Sequence, residues 1–255
     1  MAGDVESSGS DDAERETYVD LAGIARAFIA AVQGLPAAAV PDALCRACVS
    51  FLPEVSGLSL SVLGPDEGVG VVLFASDEVA ALLAEIQYTL GEGPCAEAVR
   101  LRAPVFAPAL TRAPDARRWP LFSVQAAKAG AEAVFSVPLP GAVGALGTLD
   151  LYRESAGALS REQVRTALLV ADALSLAVAA LGEASDDSDG VVTWLEGAES
   201  DREEIHQATG MIMVQLGVSA EEAVLRLRAR AFAQGLTSTD VARAVLERTM
   251  DMHHE

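Results

Sequence analysis

The sequence is poor in aromatics, cysteine, histidine and positive charge, and several of these shortages close off a class of function. Aromatic residues make up 5% of the 255 residues, and Lys128 is the single lysine among the basic residues. With alanine and arginine so abundant, this reads first as codon bias of a GC-rich coding sequence. Three cysteines (Cys45, Cys48, Cys95) cannot form a disulfide framework. The three histidines are His206, His253 and His254. The N-terminal four fifths therefore has no histidine for haem ligation or for a Ser/His/Asp set. A four-ligand zinc site is equally short of donors. No long apolar run exists: the longest uncharged stretch, Ala133 to Leu149, is interrupted by Pro138, Pro140 and three glycines. A membrane helix needs about 20 mostly apolar residues, so no span is expected. The start, MAGDVESSGSDDAERE, is acidic and polar, the opposite of a signal peptide. A net charge of −19 excludes a protein that coats nucleic acid through bulk positive field, though not a small basic face. A cytoplasmic protein with no cofactor and no metal is expected.

What is present is a chain that is 51% hydrophobic, with clear periodicities. Leu21, Ile24, Ala25, Phe28 and Val32 recur at helical spacing, and a second helix is expected from Pro41 to Leu52. The period then changes to alternation over 57–63 and 69–75, joined by Gly-Pro-Asp-Glu-Gly, which reads as a hairpin. Asp77 is placed to cap a helix that runs to Leu90 and breaks at Gly91. A short extended piece at 105–107, a helix at 119–129 and strands at 133–139 and 147–152 follow. Ser160 and Gln163 form a capping box that opens a long helix to about Leu181. The sum is an α+β domain with an antiparallel sheet flanked by helices. Its first and last helices suit either a dimer bundle or packing on their own sheet. The divisions are an acidic disordered tail at 1–17, this domain at 18–182, an acidic linker at 183–193 and an all-α three-helix bundle at 194–252. The bundle reads as a helix from Trp194 to Leu216, a second opened by a Ser219–Glu222 capping box, and a third capped by Thr237 to Asp240.

The segments Ile205 to Gly217, Ser219 to Ala231 and Leu236 to Leu246 resemble the ANTAR domain. They carry its Ala-x-Gly and apolar run, its Glu-Glu-Ala and Leu-Arg-x-x-Ala, and its Asp-Val-Ala, in order. Upstream, Leu90-Gly-Glu-Gly-Pro-Cys95, Arg118-Trp-Pro120, Val137-Pro-Leu139 and Leu146 to Tyr152 resemble a GAF domain of the kind found with ANTAR in actinobacterial regulators. The resemblance implies an RNA-binding transcription antiterminator and no enzyme. In such proteins the ANTAR bundle binds a pair of hairpins in nascent transcripts, under control of a sensory domain that takes an unknown small molecule. Dimerisation often takes part in that control, and a homodimer is expected.

By position, the resemblance assigns RNA contact to Ala208, Thr209 and Gly210 of the first bundle helix, Arg228 of the second and Arg243 of the third. Thr209 stands where the family usually has lysine, which weakens attraction to phosphate. The residues themselves add that Arg226 and Arg230, four apart, share a face, while Arg228 points elsewhere. Ala208 and Gly210 suit close helix packing as well as they suit RNA contact. Residues 194–255 hold six arginines against eleven acids, so any basic patch must be small. Hairpin loops are read by a few polar and stacking contacts, for which a small patch suffices. Two other readings stand: a DNA-binding helix-turn-helix from the last two helices, and a protein-interaction bundle. The paired thiols Cys45 and Cys48 fit small apolar core residues better than a redox pair. Cys95, ahead of a short helix, is a candidate for a thiolate stabilised by the helix dipole. Asp77, Asp115 and Asp150 are scattered, unlike the acidic cluster of a phosphate receiver.

Overall fold

The computed structural model describes residues 20–63, 71–141, 144–183 and 191–252. The expected tail, the hairpin turn and residues 184–190 of the expected linker lie outside these. Helix α1 (Leu21–Val32) opens at Asp20, whose carboxylate accepts from Gly23 N at 2.6 Å. It buries Ile24 and Phe28, the i, i+4 stripe of its sequence. A 3-10 turn at Ala37–Ala39 leads into α2 (Val40–Phe51), with Pro41 in the first turn, where no intrahelical N–H is missed. Strands β1 (Gly57–Val62) and β2 (Val71–Ala75) pair antiparallel. Helix α3 (Glu78–Leu90) begins at Asp77, which accepts from Ala80 N at 2.8 Å. It ends at Gly91, whose φ of +63° is the left-handed cap that favours glycine.

Helix α4 (Pro94–Leu101), β3 (Val105–Ala107), a one-turn α5 (Asp115–Arg118), α6 (Pro120–Lys128), β4 (Ala133–Pro140), β5 (Ala145–Arg153) and α7 (Arg161–Glu183) complete this part. The sheet runs β2-β1-β5-β4-β3, with every neighbour antiparallel. The Ser160–Gln163 capping box forms in both directions. Alternation along the strands sends side chains to two cores. On one face Leu58, Leu60, Phe135 and Leu149 meet Phe28, Leu44 and Leu174 of α1, α2 and α7. On the other, Val134 and Tyr152 meet Leu83, Ala98 and Phe122 of α3, α4 and α6. The first and last helices thus cover their own sheet.

The C-terminal part is helical. α8 (Val191–Leu216) starts three residues before Trp194, the expected start. α9 (Ala220–Gln234) follows Gly217, with Ser219 Oγ accepting from Glu222 N at 3.2 Å. α10 (Ser238–Leu246) has a complete capping box between Thr237 and Asp240. A third core lies among these helices, with Ile212, Leu227, Ala231 and Val245 fully buried. Among the described residues no helix is long and apolar enough to cross a membrane.

Candidate nucleic-acid interface

The helical bundle distributes the expected contact residues over different environments. Ala208 is fully buried in the bundle core, and Thr209 is buried with its hydroxyl donating to Ile205 O at 2.6 Å. Ala208 is thus spent on packing within the bundle, and the Thr209 hydroxyl on its own helix. Gly210 is the reverse case: it is exposed, and a Cβ built on it meets nothing within 4 Å. Close helix packing therefore does not explain this glycine.

On α9 the 3.6-residue period divides the arginines as the spacing requires. Arg226 and Arg230 line one open groove of about 390 Å³ with Ala229, Ala233, Gln234 and Met252. Arg226 also pairs with Glu222 one turn earlier at 2.9 Å, so Glu222 serves this ion pair instead of closing the expected capping box. Both members are exposed, and such a pair is weak enough for phosphate to displace. Arg243 on α10 pairs with Glu204 of α8 at 3.1 Å and is not among the residues lining the groove.

Arg228 lies on another side of α9, against α3. Its guanidinium carbon sits 4.8 Å from the centroid of the Tyr88 ring. Its Nη1 lies 3.4 Å from where a Cβ on Gly91 would stand. Its Nε is shut off from solvent with no hydrogen-bond partner. Beside it, Ser238 of α10 is buried, with its N–H donating to Thr89 Oγ1 at 3.1 Å and the two hydroxyls 3.0 Å apart. Tyr88 and Thr89 were not among the contact residues expected from the sequence. In a helix read by its apolar stripe, nothing local marks them as contacts of a segment about 150 residues away.

The N-terminal part holds a buried polar cluster under α4. Ser136 and Thr148 both donate to the Asp150 carboxylate, the latter at 3.0 Å, and Cys95 Sγ lies 3.1 Å from Thr148 Oγ1. Burial pushes Asp150 up to about 6, although both hydroxyls oppose the shift. Burial, with Asp150 beside it, raises the Cys95 thiol well above its ordinary value. The helix-dipole effect that favours a thiolate is outweighed here, and Cys95 is held as a thiol. Burial likewise raises Cys45 and Cys48. Asp77 caps α3, and the buried Asp115 instead ties down the preceding loop by accepting from Ala109 N at 3.0 Å. Among the described residues no group of three or more His, Cys, Asp or Glu side chains could hold a metal.

The sequence profile of the GAF domain matches residues 38–179, more than half of the chain and the region of the five-stranded sheet. The chain belongs to the GAF domain family. The profile of the ANTAR domain matches residues 194–246, which hold most of α8 and all of α9 and α10. The protein thus joins a GAF domain, with its antiparallel sheet and flanking helices, to a C-terminal helical ANTAR domain. GAF domains bind small ligands and ANTAR domains bind RNA in antitermination regulators, and this pairing is typical of regulators that are not enzymes. No curated protein matches the chain. Similar solved structures include the GAF domain of a phosphoenolpyruvate-protein phosphotransferase from Coxiella burnetii, at 14% identity, covering 66% of this chain and 97% of that one, with a TM-score of 0.49. The corresponding GAF domain from Acinetobacter has 11% identity, with 65% and 97% covered and a TM-score of 0.49. The phycocyanobilin-bound GAF domain of a cyanobacterial phytochrome has 14% identity, with 63% and 94% covered and a TM-score of 0.46.

Proposed function

We propose that this protein is a cytoplasmic, signal-responsive RNA-binding antiterminator of the actinobacterial type. A GAF domain at 18–182 controls an ANTAR domain at 194–252 across an acidic linker. The observation that carries this reading is the ANTAR match over a bundle whose α9 presents Arg226 and Arg230 on one open groove. The ligand is a pair of RNA hairpins in a nascent transcript. Arg226 and Arg230 supply charge to the phosphates, and the bare backbone at Gly210 lets RNA approach α8. Arg228 and Arg243 join once freed from their present partners, and Ala208 and Thr209 act by setting the helix packing beneath. Bound protein stabilises the hairpin form and so depletes the competing terminator stem by mass action. The protein acts as a homodimer, and the exposed Ile29 of α1 and Leu176 of α7 support a contact on that side. The GAF domain takes a small ligand.

The test is a titration of the full chain with an RNA carrying two short hairpins in tandem, at two salt concentrations. A single hairpin and a duplex DNA of equal length serve as controls. Preference for the paired hairpins is expected. Arg226→Ala with Arg230→Ala should flatten the dependence of log K on log salt by about 1 to 2, the loss of two phosphate contacts. Equal binding to duplex DNA, or an unchanged salt slope in the double variant, would overturn the reading.

A further inference from the structure

The contact between α3 and the ANTAR helices is built on complementary helix ends. Helix α3 has no basic residue in its own last turn, and its C-terminal carbonyls carry partial negative charge. Arg228 of α9 brings a cation to that end, over Tyr88 and against Gly91. In return α3 serves the N-terminus of α10, whose first N–H groups have no partner within the helix. Thr89 Oγ1 accepts from Ser238 N at 3.1 Å, and Glu85 lies 3.5 Å from Thr239 N. Glu85, Tyr88 and Thr89 fall on one face of α3, at i, i+3 and i+4. Tyr88 also packs against the ANTAR core. A cation at one helix end, an acid and a hydroxyl at the other, and a ring between them make a specific docking surface.

The same seam is incomplete. Next to these contacts lies an open groove of about 260 Å³, lined by Leu82, Ile86 and Leu90 of α3, Lys128 of α6, and Phe232 and Leu236 of the ANTAR domain. Arg228 does not line this groove, but its Nε, held against Tyr88, is buried without a partner, a desolvated donor that water or phosphate would satisfy. We propose that the Glu85–Tyr88–Thr89 face of α3 is an autoinhibitory clasp that holds α9 and α10 and withholds Arg228 from RNA. Release of the clasp exposes Arg228 as a second cationic contact, on the side of α9 away from the groove of Arg226 and Arg230. RNA and α3 then compete for the same guanidinium. This rests on the RNA-binding reading above.

Two full-length variants test it. Glu85→Lys with Tyr88→Ala opens the clasp without touching an ANTAR residue. Thr89→Cys with Ser238→Cys places two thiols where hydroxyls now lie 3.0 Å apart, close enough for a disulfide lock. Binding to the two-hairpin RNA and hydrogen exchange of the amides at 238–240 are measured on each. The opened variant should exchange faster and bind RNA about tenfold more tightly than the parent. The locked variant should lose RNA binding when oxidised and regain it on reduction. Faster exchange with unchanged RNA affinity, oxidised locked protein that binds as well as reduced, or a disulfide that fails to form would each overturn the clasp. Should no form bind RNA although exchange in the opened variant rises, the docking stands but the RNA-binding reading falls, and the autoinhibitory role falls with it.

Discussion

Cys95 and Thr148 face each other beneath α4, sulfur to hydroxyl oxygen 3.1 Å apart, and Thr148 in turn donates to Asp150. A thiol this deep, next to a carboxylate, stays protonated and out of reach. The same holds for Cys45 and Cys48, both buried against α1 and the sheet. A disulfide-exchange reagent at pH 8 should therefore label none of the three thiols in the native protein within minutes, and all three in denaturant. Fast labelling of Cys95 in native protein would show that the cluster opens readily and would return the cysteine to the list of reactive groups.

Asp150 carries a pH signature of its own. Its carboxyl is fully enclosed and is pushed from 3.8 up to about 6. The folded protein therefore holds this proton more tightly than the unfolded chain. Stability from this group is complete below about pH 4 and declines as pH rises to about 6, a total of about 3 kcal/mol for a shift of this size. Asp150→Asn keeps the shape and a hydrogen-bonding end while removing the charge. Urea unfolding of both proteins across pH 4 to 7 should show the difference between them growing in favour of the variant as pH rises. A difference that stays flat with pH would mean that Asp150 is solvated in the native state.

Gly147 sits opposite Val62 where β5 pairs with β1. A Cβ there would stand 2.0 Å from Ser61 O, a backbone atom that cannot move without breaking the ladder. Gly147→Ala should destabilise the GAF domain by about 3 kcal/mol or more, at the upper end of overpacking costs. Thermal unfolding followed by circular dichroism reads this directly, and an unchanged midpoint would mean that the strands part freely at this point.

The parts of the fold that depend on local chemistry were legible in the residues. Asp77 as a cap, Gly91 as a stop, the Ser160–Gln163 box and the alternation in β1 all follow from a few neighbouring positions. The division of Arg226 and Arg230 from Arg228 also follows from helical period alone. What Arg228 faces was not legible, since Tyr88 and Gly91 come from a different domain and no local pattern pairs them with α9. Asp150 looked like one scattered acid. Thr148 lies two residues away on the same face of β5, but Ser136 joins it only through strand register and Cys95 only through the packing of α4 on the sheet. Helix α5 escaped notice because four residues are too few to show a period.

Gly210 separates stability from function most sharply. It lies in α8, exposed, with open space where a side chain would go. Glycine inside a helix costs about 1 kcal/mol relative to alanine through backbone entropy alone. Nothing in the fold requires that cost here, so Gly210→Ala should raise the unfolding free energy by about 0.5 to 1 kcal/mol. If the proposed RNA approach uses the bare backbone of α8, the same methyl group should weaken binding to the two-hairpin RNA severalfold. Thr209→Ala, at the buried neighbouring position, should leave RNA affinity within about twofold while losing one hydrogen bond to Ile205. A stabilised Gly210→Ala variant that binds RNA as well as the parent would remove α8 from the interface and leave recognition to the arginines of α9.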